Sequence, residues 1–590
     1  MGRLAAISLA VSLAGVTLAA QQAAPPASIT PDTAPGDVVT LSVVGTTDLH
    51  GFVFPRGGRG GLALLGGYLR NLRAARDADG GGVVLVDAGD TFQGGIESNL
   101  SEGALVIDAY NAMGYTAAAI GNHEFDFGPA DRPGARQALD DDPRGAVKAR
   151  AAQARFPYLA ANLIDASTDR PVEWPNVRPS AMVVVAGVRV GLIGVMTVDA
   201  LRATLPVNVR GLRMAPIAPT VTAEARRLRE AGAEVVIVVS HAGGSCARFD
   251  EPDDLSSCDP TAEIFAAARD LPPGLVDVIA AGHTHAGLAH RVNGITIVQG
   301  YSLGRAFARA DVLFDRRTRT VVRIDPFAPR FLCGVQDPET FDCESRPAGA
   351  EPLPVARYEG RPVTPDPAVD AAMAPALQRV RDLQAMPLGV YLDTGLPRVG
   401  DPESPLGNLF ADALRGAVRG ADVAVNNNSR GGLRTDLPDG PLTFGRLYDV
   451  FPFDNRLVTL SMTGADLSRV FADEIRRNRR GALGISGVRV DADCSAGDLH
   501  VALYRDSGEP IRPDERLTVA TMDSLASGSI FAVFSTPADF RVPEHAPLVR
   551  EAVEDWLRQR GGRLDADQFV DPDHRRWNLP ATPPTGCAHQ

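Results

Sequence analysis

Six short apolar runs constrain this chain most. They are "VVTLSVVGTTD" (38–48), "GGVVLVDAGD" (81–90), "YTAAAIGN" (115–122), "VVVAGVRVGLIGV" (183–195), "AEVVIVVSH" (233–241) and "LVDVIAAGH" (275–283), each rich in small and β-branched residues. Runs of that kind suit strands covered on both faces. Five of them end on Asp, Asn or His. Amphipathic segments lie between them, as at "LALLGGYLRNLRAARDA" (62–78) and "TVTAEARRLREAG" (220–232). Strand alternating with helix predicts a layered α/β domain. The alternation stops near residue 325. A Pro- and Arg-rich stretch (327–367), one helical segment (367–385) and a region mixing helices and strands follow. A chain of 590 residues has room for two domains, each with its own core.

The polar strand ends carry the chemistry. In chain order they supply Asp48 and His50 ("TTDLHG"), Asp87 and Asp90 ("DAGDTFQG"), Asn122, His123, Glu124 and Asp126 ("GNHEFD"), His241 ("SHAGG"), and His283 and His285 ("GHTHAG"). One such residue would be an ordinary turn residue. Five strands delivering O and N donors to the same sheet edge is a different matter, because α/β sheets bind ligands at the C-terminal ends of their strands. Carboxylate, imidazole and amide donors without sulfur suit Zn, Mn, Fe, Co or Ni. Together these candidates exceed the needs of one ion and fit two ions sharing a carboxylate. Asp48 and His50 are two apart, as are His283 and His285. In an extended segment each pair would face one side.

These motifs resemble the five signatures of the calcineurin-like metallophosphoesterases. Together with "ESPLGNLFADAL" and "GGLR…FPFDN" in the second half, the chain resembles the exported 5'-nucleotidase family, over about residues 40–580. The family includes UDP-sugar hydrolases and 2',3'-cyclic nucleotide phosphodiesterases. The resemblance implies a four-layer α/β/β/α sandwich followed by an α+β substrate-binding domain, and hydrolysis of a small phosphoester, a nucleotide above all. Phosphodiester or pyrophosphate cleavage in cyclic nucleotides or nucleotide sugars, a thiosulfohydrolase-like sulfur-ester hydrolase on the same fold, and last a non-catalytic ligand-binding relative are the alternatives. It implies two divalent ions, Zn, Mn or similar. Asp48, His50 and His285 would hold one; Asn122, His241 and His283 would hold the other; Asp90 would bridge them. His123 would be the proton donor and Asp126 its orienter. Arg434 would grip substrate oxygens, with Arg430 a nearby cation, and Phe453 would stack the base. Asn408 and Asp412, in a helical segment, could cap or line the interdomain cleft or play a purely structural part. Where relatives carry a second aromatic, "TMDSLASGSIF" (521–531) has Ser524; Phe531 is the candidate substitute.

The implied division is a signal peptide (1–24), a Pro-rich leader (25–37), a metallophosphoesterase domain (38–330), a linker with an interdomain helix (331–385) and a substrate domain (386–590). Arg3, an apolar run from Leu4 to Ala20 and small residues after it read as a cleaved export signal. That places the mature protein in the periplasm or outside the cell, with no lasting membrane insertion. A net charge of −13 argues against a nucleic-acid polymer as partner. Six cysteines suit disulfides in an oxidising compartment, with Cys246/Cys258, Cys333/Cys343 and Cys494/Cys587 the expected pairs.

Overall fold

The computed structural model describes residues 37–130, 142–204, 208–338, 341–343, 352–400, 402–429, 431–453, 455–477, 482–495, 498–527, 530–531, 539–541 and 547–579. The signal segment (1–24) and residues 25–36 of the leader lie outside them. Among the described residues, no helix is long and apolar enough to cross a membrane.

The apolar runs form two sheets. The first orders its strands Thr320–Phe331, Ala306–Asp315, Val38–Thr46, Gly82–Asp87, Ala117–Ala119, Tyr158–Leu159 and Val177–Arg178; the last five are parallel. The second orders Gly287–Val292, Ile295–Gly300, Val278–Ala281, Val235–His241, Val188–Met196 and Ser180–Val185, with four parallel strands inside two antiparallel edges.

Alternation along each strand sorts the side chains into layers. Val39, Leu41, Val43, Val84 and Val86 meet Val190, Leu192, Val235, Ile237 and Val239 in a core between the two sheets. Their neighbours point the other way. Val44 and Leu85 pack under helices Leu62–Asp79 and Ala104–Met113. Val236, Val238 and Ile193 pack under helices Ile217–Glu230 and Glu263–Asp270. The domain is therefore a helix–sheet–sheet–helix sandwich. Burying one such aliphatic side chain contributes about 1.5–3 kcal/mol. A slip by one residue would turn every one of them to the wrong layer, so this packing fixes the register that brings the strand ends level.

The run at 183–195 is not one strand. It is an antiparallel hairpin, Ser180–Val185 with Val188–Met196, turning at Ala186 and Gly187. Both turn residues have positive φ, 49° and 78°, as a two-residue hairpin turn requires. Alanine at the first turn position masks the signal that Asn-Gly would give.

Helix Pro367–Ala385 starts with Pro367 at its first turn and the Asp366 carboxylate on Ala368 N–H. Val369, Met373 and Ala376 join the first domain's core. At the other end of the helix, Gln384 lies against Gly445, where a Cβ would come within 2.9 Å of its carbonyl oxygen. Beyond the helix, a five-stranded mixed sheet with Arg516–Met522 at its centre shares one apolar core with helices Pro405–Ala417, Gly464–Arg476 and Val549–Arg560. Disulfides join Cys246 to Cys258 and Cys333 to Cys343. Cys494 is disulfide-bonded, while Cys587, its expected partner, lies outside the described residues.

Candidate metal centre

The strand ends converge. The loop after Val38–Thr46 is laddered onto the loop after Gly82–Asp87: Asp48 N–H donates to Gly89 O, His50 N–H to Asp90 O and Gly51 N–H to Thr91 O, each at 2.9 Å. Asp48, His50, Asp90, His283 and His285 all have positive φ, at 49°, 49°, 56°, 76° and 56°. The pairs at 48/50 and 283/285 are thus not aligned by an extended backbone, as their spacing suggested. Left-handed turns past the strand ends aim each side chain. Side-chain-bearing residues rarely adopt that conformation, and it concentrates at functional sites.

Two ligand clusters result. In one, His285 Nε2 lies 3.3 Å from Asp48 Oδ1 and 3.0 Å from His50 Nε2. In the other, His241 Nε2 lies 3.1 Å from Asp90 Oδ2, 3.1 Å from Asn122 Oδ1 and 3.2 Å from His283 Nδ1. Asp90 Oδ2 is also 4.0 Å from His50 Nε2, so one carboxylate oxygen faces both clusters. The other oxygen, Oδ1, accepts His123 N–H at 2.9 Å. Gly121 leaves room for this: a Cβ there would fall 2.3 Å from Asp90 Oδ1.

The remaining ring nitrogens fix the tautomers. His50 Nδ1 lies 3.0 Å from Gln93 O and His241 Nδ1 2.8 Å from Ala88 O. A carbonyl only accepts, so each Nδ1 carries a proton and each Nε2 turns its lone pair inward. Lone pairs and carboxylates aimed at one another repel unless a cation sits among them. The donor set therefore fits divalent ions. The field is strongly anionic. Without an ion, burial pulls the His241 imidazole down, yet Asp90, with Asp48 and Glu124 behind it, lifts it to about 10, so that a proton takes the place at Nε2 that an ion would hold. Burial would raise Asp90, but the facing histidines hold it below the usual carboxylate range.

His123 stands at the edge of this centre, its ring 5.1 Å from that of His50. Its Nδ1 is 2.5 Å from Asp126 Oδ2. Burial lowers the imidazole, but the Asp126 hydrogen bond and charge outweigh it and raise it to about 9. Thr204 donates its hydroxyl to the other Asp126 oxygen at 3.2 Å. Nothing in the sequence pointed to Thr204, 78 positions away. Asp87 stands apart from both clusters. It accepts from the Thr46, Thr91 and Tyr110 hydroxyls and from Gly89 N–H, and burial pushes it up to about 6.

The second domain distributes its expected residues unevenly. Arg434 is exposed and places its guanidinium 4.8 Å from the centre of the half-buried Phe453 ring. The loop before Phe453 reaches the first domain, where Asn99 Nδ2 donates to Pro452 O at 3.5 Å. Two expectations fail. Asn408 is fully buried; its amide donates to Glu403 and Phe569 O and its oxygen accepts Ile485 N–H. Its hydrogen-bonding capacity is spent inside the fold and does not line a cleft. Phe531 is likewise fully buried in the domain core and presents no face to a base. Asp412 pairs with Arg576 at 2.7 Å. Arg430 lies outside the described residues.

Comparisons with known proteins agree with this architecture. The calcineurin-like phosphoesterase family model matches residues 41–287, and that of the 5'-nucleotidase C-terminal domain matches residues 389–536. Endonuclease YhcR of Bacillus subtilis is 25% identical over 527 residues, which cover 84% of this chain and 38% of YhcR. Protein UshA of Yersinia enterocolitica is 24% identical over 512 residues, 83% of this chain and 85% of its own. The crystal structure of a 5'-nucleotidase precursor from Thermus thermophilus superposes with a TM-score of 0.52 at 24% identity, covering 89% of this chain and 97% of its own. The chain spans well under half of YhcR, so what YhcR does as a whole is a property of the longer protein. The chain thus carries a calcineurin-like phosphoesterase domain, on a sandwich whose strand ends gather the candidate ligands, followed by a 5'-nucleotidase C-terminal domain.

Proposed function

We propose that this protein is an exported, two-metal phosphoesterase that hydrolyses nucleotides to nucleoside and phosphate. The observation that carries the reading is Asp90 Oδ2, placed between two ligand clusters with the His123–Asp126 pair beside them. Asp48, His50 and His285 would hold one ion and Asn122, His241 and His283 the other, with Asp90 Oδ2 facing both sets. When bound, the ions supply Lewis acidity, which makes water a competent nucleophile near neutral pH and offsets the charge on phosphate. The chain's own residues do the rest. His123 keeps a proton on Nε2, because Asp126 holds the Nδ1 proton, and passes it to the leaving oxygen as general acid. Arg434 binds substrate oxygens through its fork of N–H groups. Phe453 offers an aromatic face to the base. The N-terminal apolar run and disulfides such as Cys246–Cys258 and Cys333–Cys343 support export.

The test is hydrolysis of AMP and of p-nitrophenyl phosphate by the mature protein supplied with Mn(II) or Zn(II). Turnover abolished by EDTA and restored by the metal is expected. Failure to release phosphate from either compound with any divalent metal would refute the reading. Because Phe531 is buried and Ser524 stands in place of the second ring, a second reading is a phosphomonoesterase indifferent to the base. Equal kcat/KM for AMP and ribose 5-phosphate would select it.

A further inference from the structure

We propose that Glu124 is a positioning residue, a carboxylate clamp between the turn at 121–124 and the loop at 88–91 that sets where Asp90 stands between the two ligand clusters. This rests on the two-ion reading above. Glu124 is fully buried. Its Oε2 accepts the N–H of Asp90 at 2.9 Å and of Gly121 at 2.6 Å, and its Oε1 accepts Thr91 N–H at 2.6 Å. The clamp is reciprocal, because Asp90 Oδ1 accepts His123 N–H at 2.9 Å. Each loop's carboxylate holds the other loop's backbone. With Oδ1 engaged, only Oδ2 is left to face His241 and His50. Asp90 also sits at a φ of 56°, a conformation that side chains disfavour, and Glu124 holds the amides on both sides of that residue's Cα. Charge-assisted bonds from backbone N–H to a buried carboxylate are strong enough to hold such a turn.

Both oxygens of Glu124 accept, so glutamine must turn an NH2 toward an N–H. Residues that support ligands from behind typically alter metal affinity by about 10–100-fold. The experiment is Mn(II) titration of the mature protein, read by bound-metal stoichiometry and by the exchange-coupled EPR signal of a bridged pair. Glu124→Gln is expected to bind Mn(II) at least tenfold more weakly and to lose the coupled signal. Glu124→Asp, which keeps both acceptors on a shorter stem, is expected to lose less. Asn176→Ala is the control for general damage: it removes an amide that donates to Ala151, Ala154 and Phe156 carbonyls. It should retain coupled binding. Wild-type affinity and coupling in Glu124→Gln would overturn the inference, as would an equal loss in Asn176→Ala. A wild type that binds a single ion would refute the two-ion reading, a distinguishable result.

Discussion

Replacing Asp126 by Asn should disconnect the imidazole of His123 from the group that holds its charge. Asp126 Oδ2 is 2.5 Å from His123 Nδ1, and against the opposing effect of burial its hydrogen bond and charge, with lesser help from Asp90 and Glu124, raise the imidazole from the ordinary 6.5 to about 9. That interval corresponds to about 3 kcal/mol. With 33% of the His123 side chain exposed, solvent screening reduces the figure to about 2 kcal/mol. In the metal-free protein, NMR titration of the histidine ring protons should place wild-type His123 near 9 and the variant at least one pH unit lower. The stability consequence has a definite sign. A histidine raised on folding stabilises fully below 6.5, and that stabilisation is lost as pH rises from 6.5 through about 9. The stability gap between wild type and Asp126→Asn should therefore be widest at about pH 6 and shrink by at most about 2 kcal/mol by about pH 10, since Asp90 and Glu124 still act on His123 in the variant, as measured by urea unfolding. The kinetic consequence depends on the leaving group. Loss of a general acid costs about 10²–10⁴ in rate. AMP, whose alkoxide needs a proton, should lose at least a hundredfold in kcat, and p-nitrophenyl phosphate, whose phenolate does not, under tenfold. Unchanged His123 titration in the variant, or equal losses on the two substrates, would refute the reasoning.

Three further outcomes are expected. Gly121→Ala would place a methyl 2.3 Å from Asp90 Oδ1 and 2.5 Å from its amide nitrogen, so the variant should bind metal at least tenfold more weakly by atomic-absorption stoichiometry. Phe453→Ala should raise KM for AMP about 5–150-fold, the equivalent of roughly 1–3 kcal/mol of stacking, and leave KM for p-nitrophenyl phosphate unchanged. Reducing the Cys246–Cys258 and Cys333–Cys343 bridges, separated by 12 and 10 residues, should cost up to about 3 kcal/mol each and lower Tm in dithiothreitol.

The identities of the ligand candidates were legible because their chemistry sits in short motifs at strand ends. Asp90 and His241 converge because two sheets are held in register by cores that the alternation Val39, Leu41, Val43 already announces. How the ligands are aimed was not legible. A two-residue spacing looks the same whether the backbone is extended or left-handed, and positive φ is uncommon even for Asp and His, although both are several-fold enriched there. Glu124 was visible as a residue without a role, since acceptors for backbone N–H groups 33 and 34 positions away leave no local trace. Asn408 and Phe531 were misread for the opposite reason. Each has a residue type that suits a cleft, and only three-dimensional packing reveals that Glu403, Phe569 and Ile485 engage the one and the domain core encloses the other.

The five left-handed residues carry an implication for anyone who engineers this protein. Each costs on the order of 1 kcal/mol relative to a relaxed backbone, and glycine would relieve it. Five such positions together approach the lower end of a domain's net stability of about 5–15 kcal/mol. A screen that rewards heat resistance alone would therefore be drawn to glycine at Asp48, His50, Asp90, His283 and His285. Its winners would be sturdier and inert. Libraries aimed at a robust enzyme must hold those codons constant, and a thermostable clone without activity should be sequenced there first.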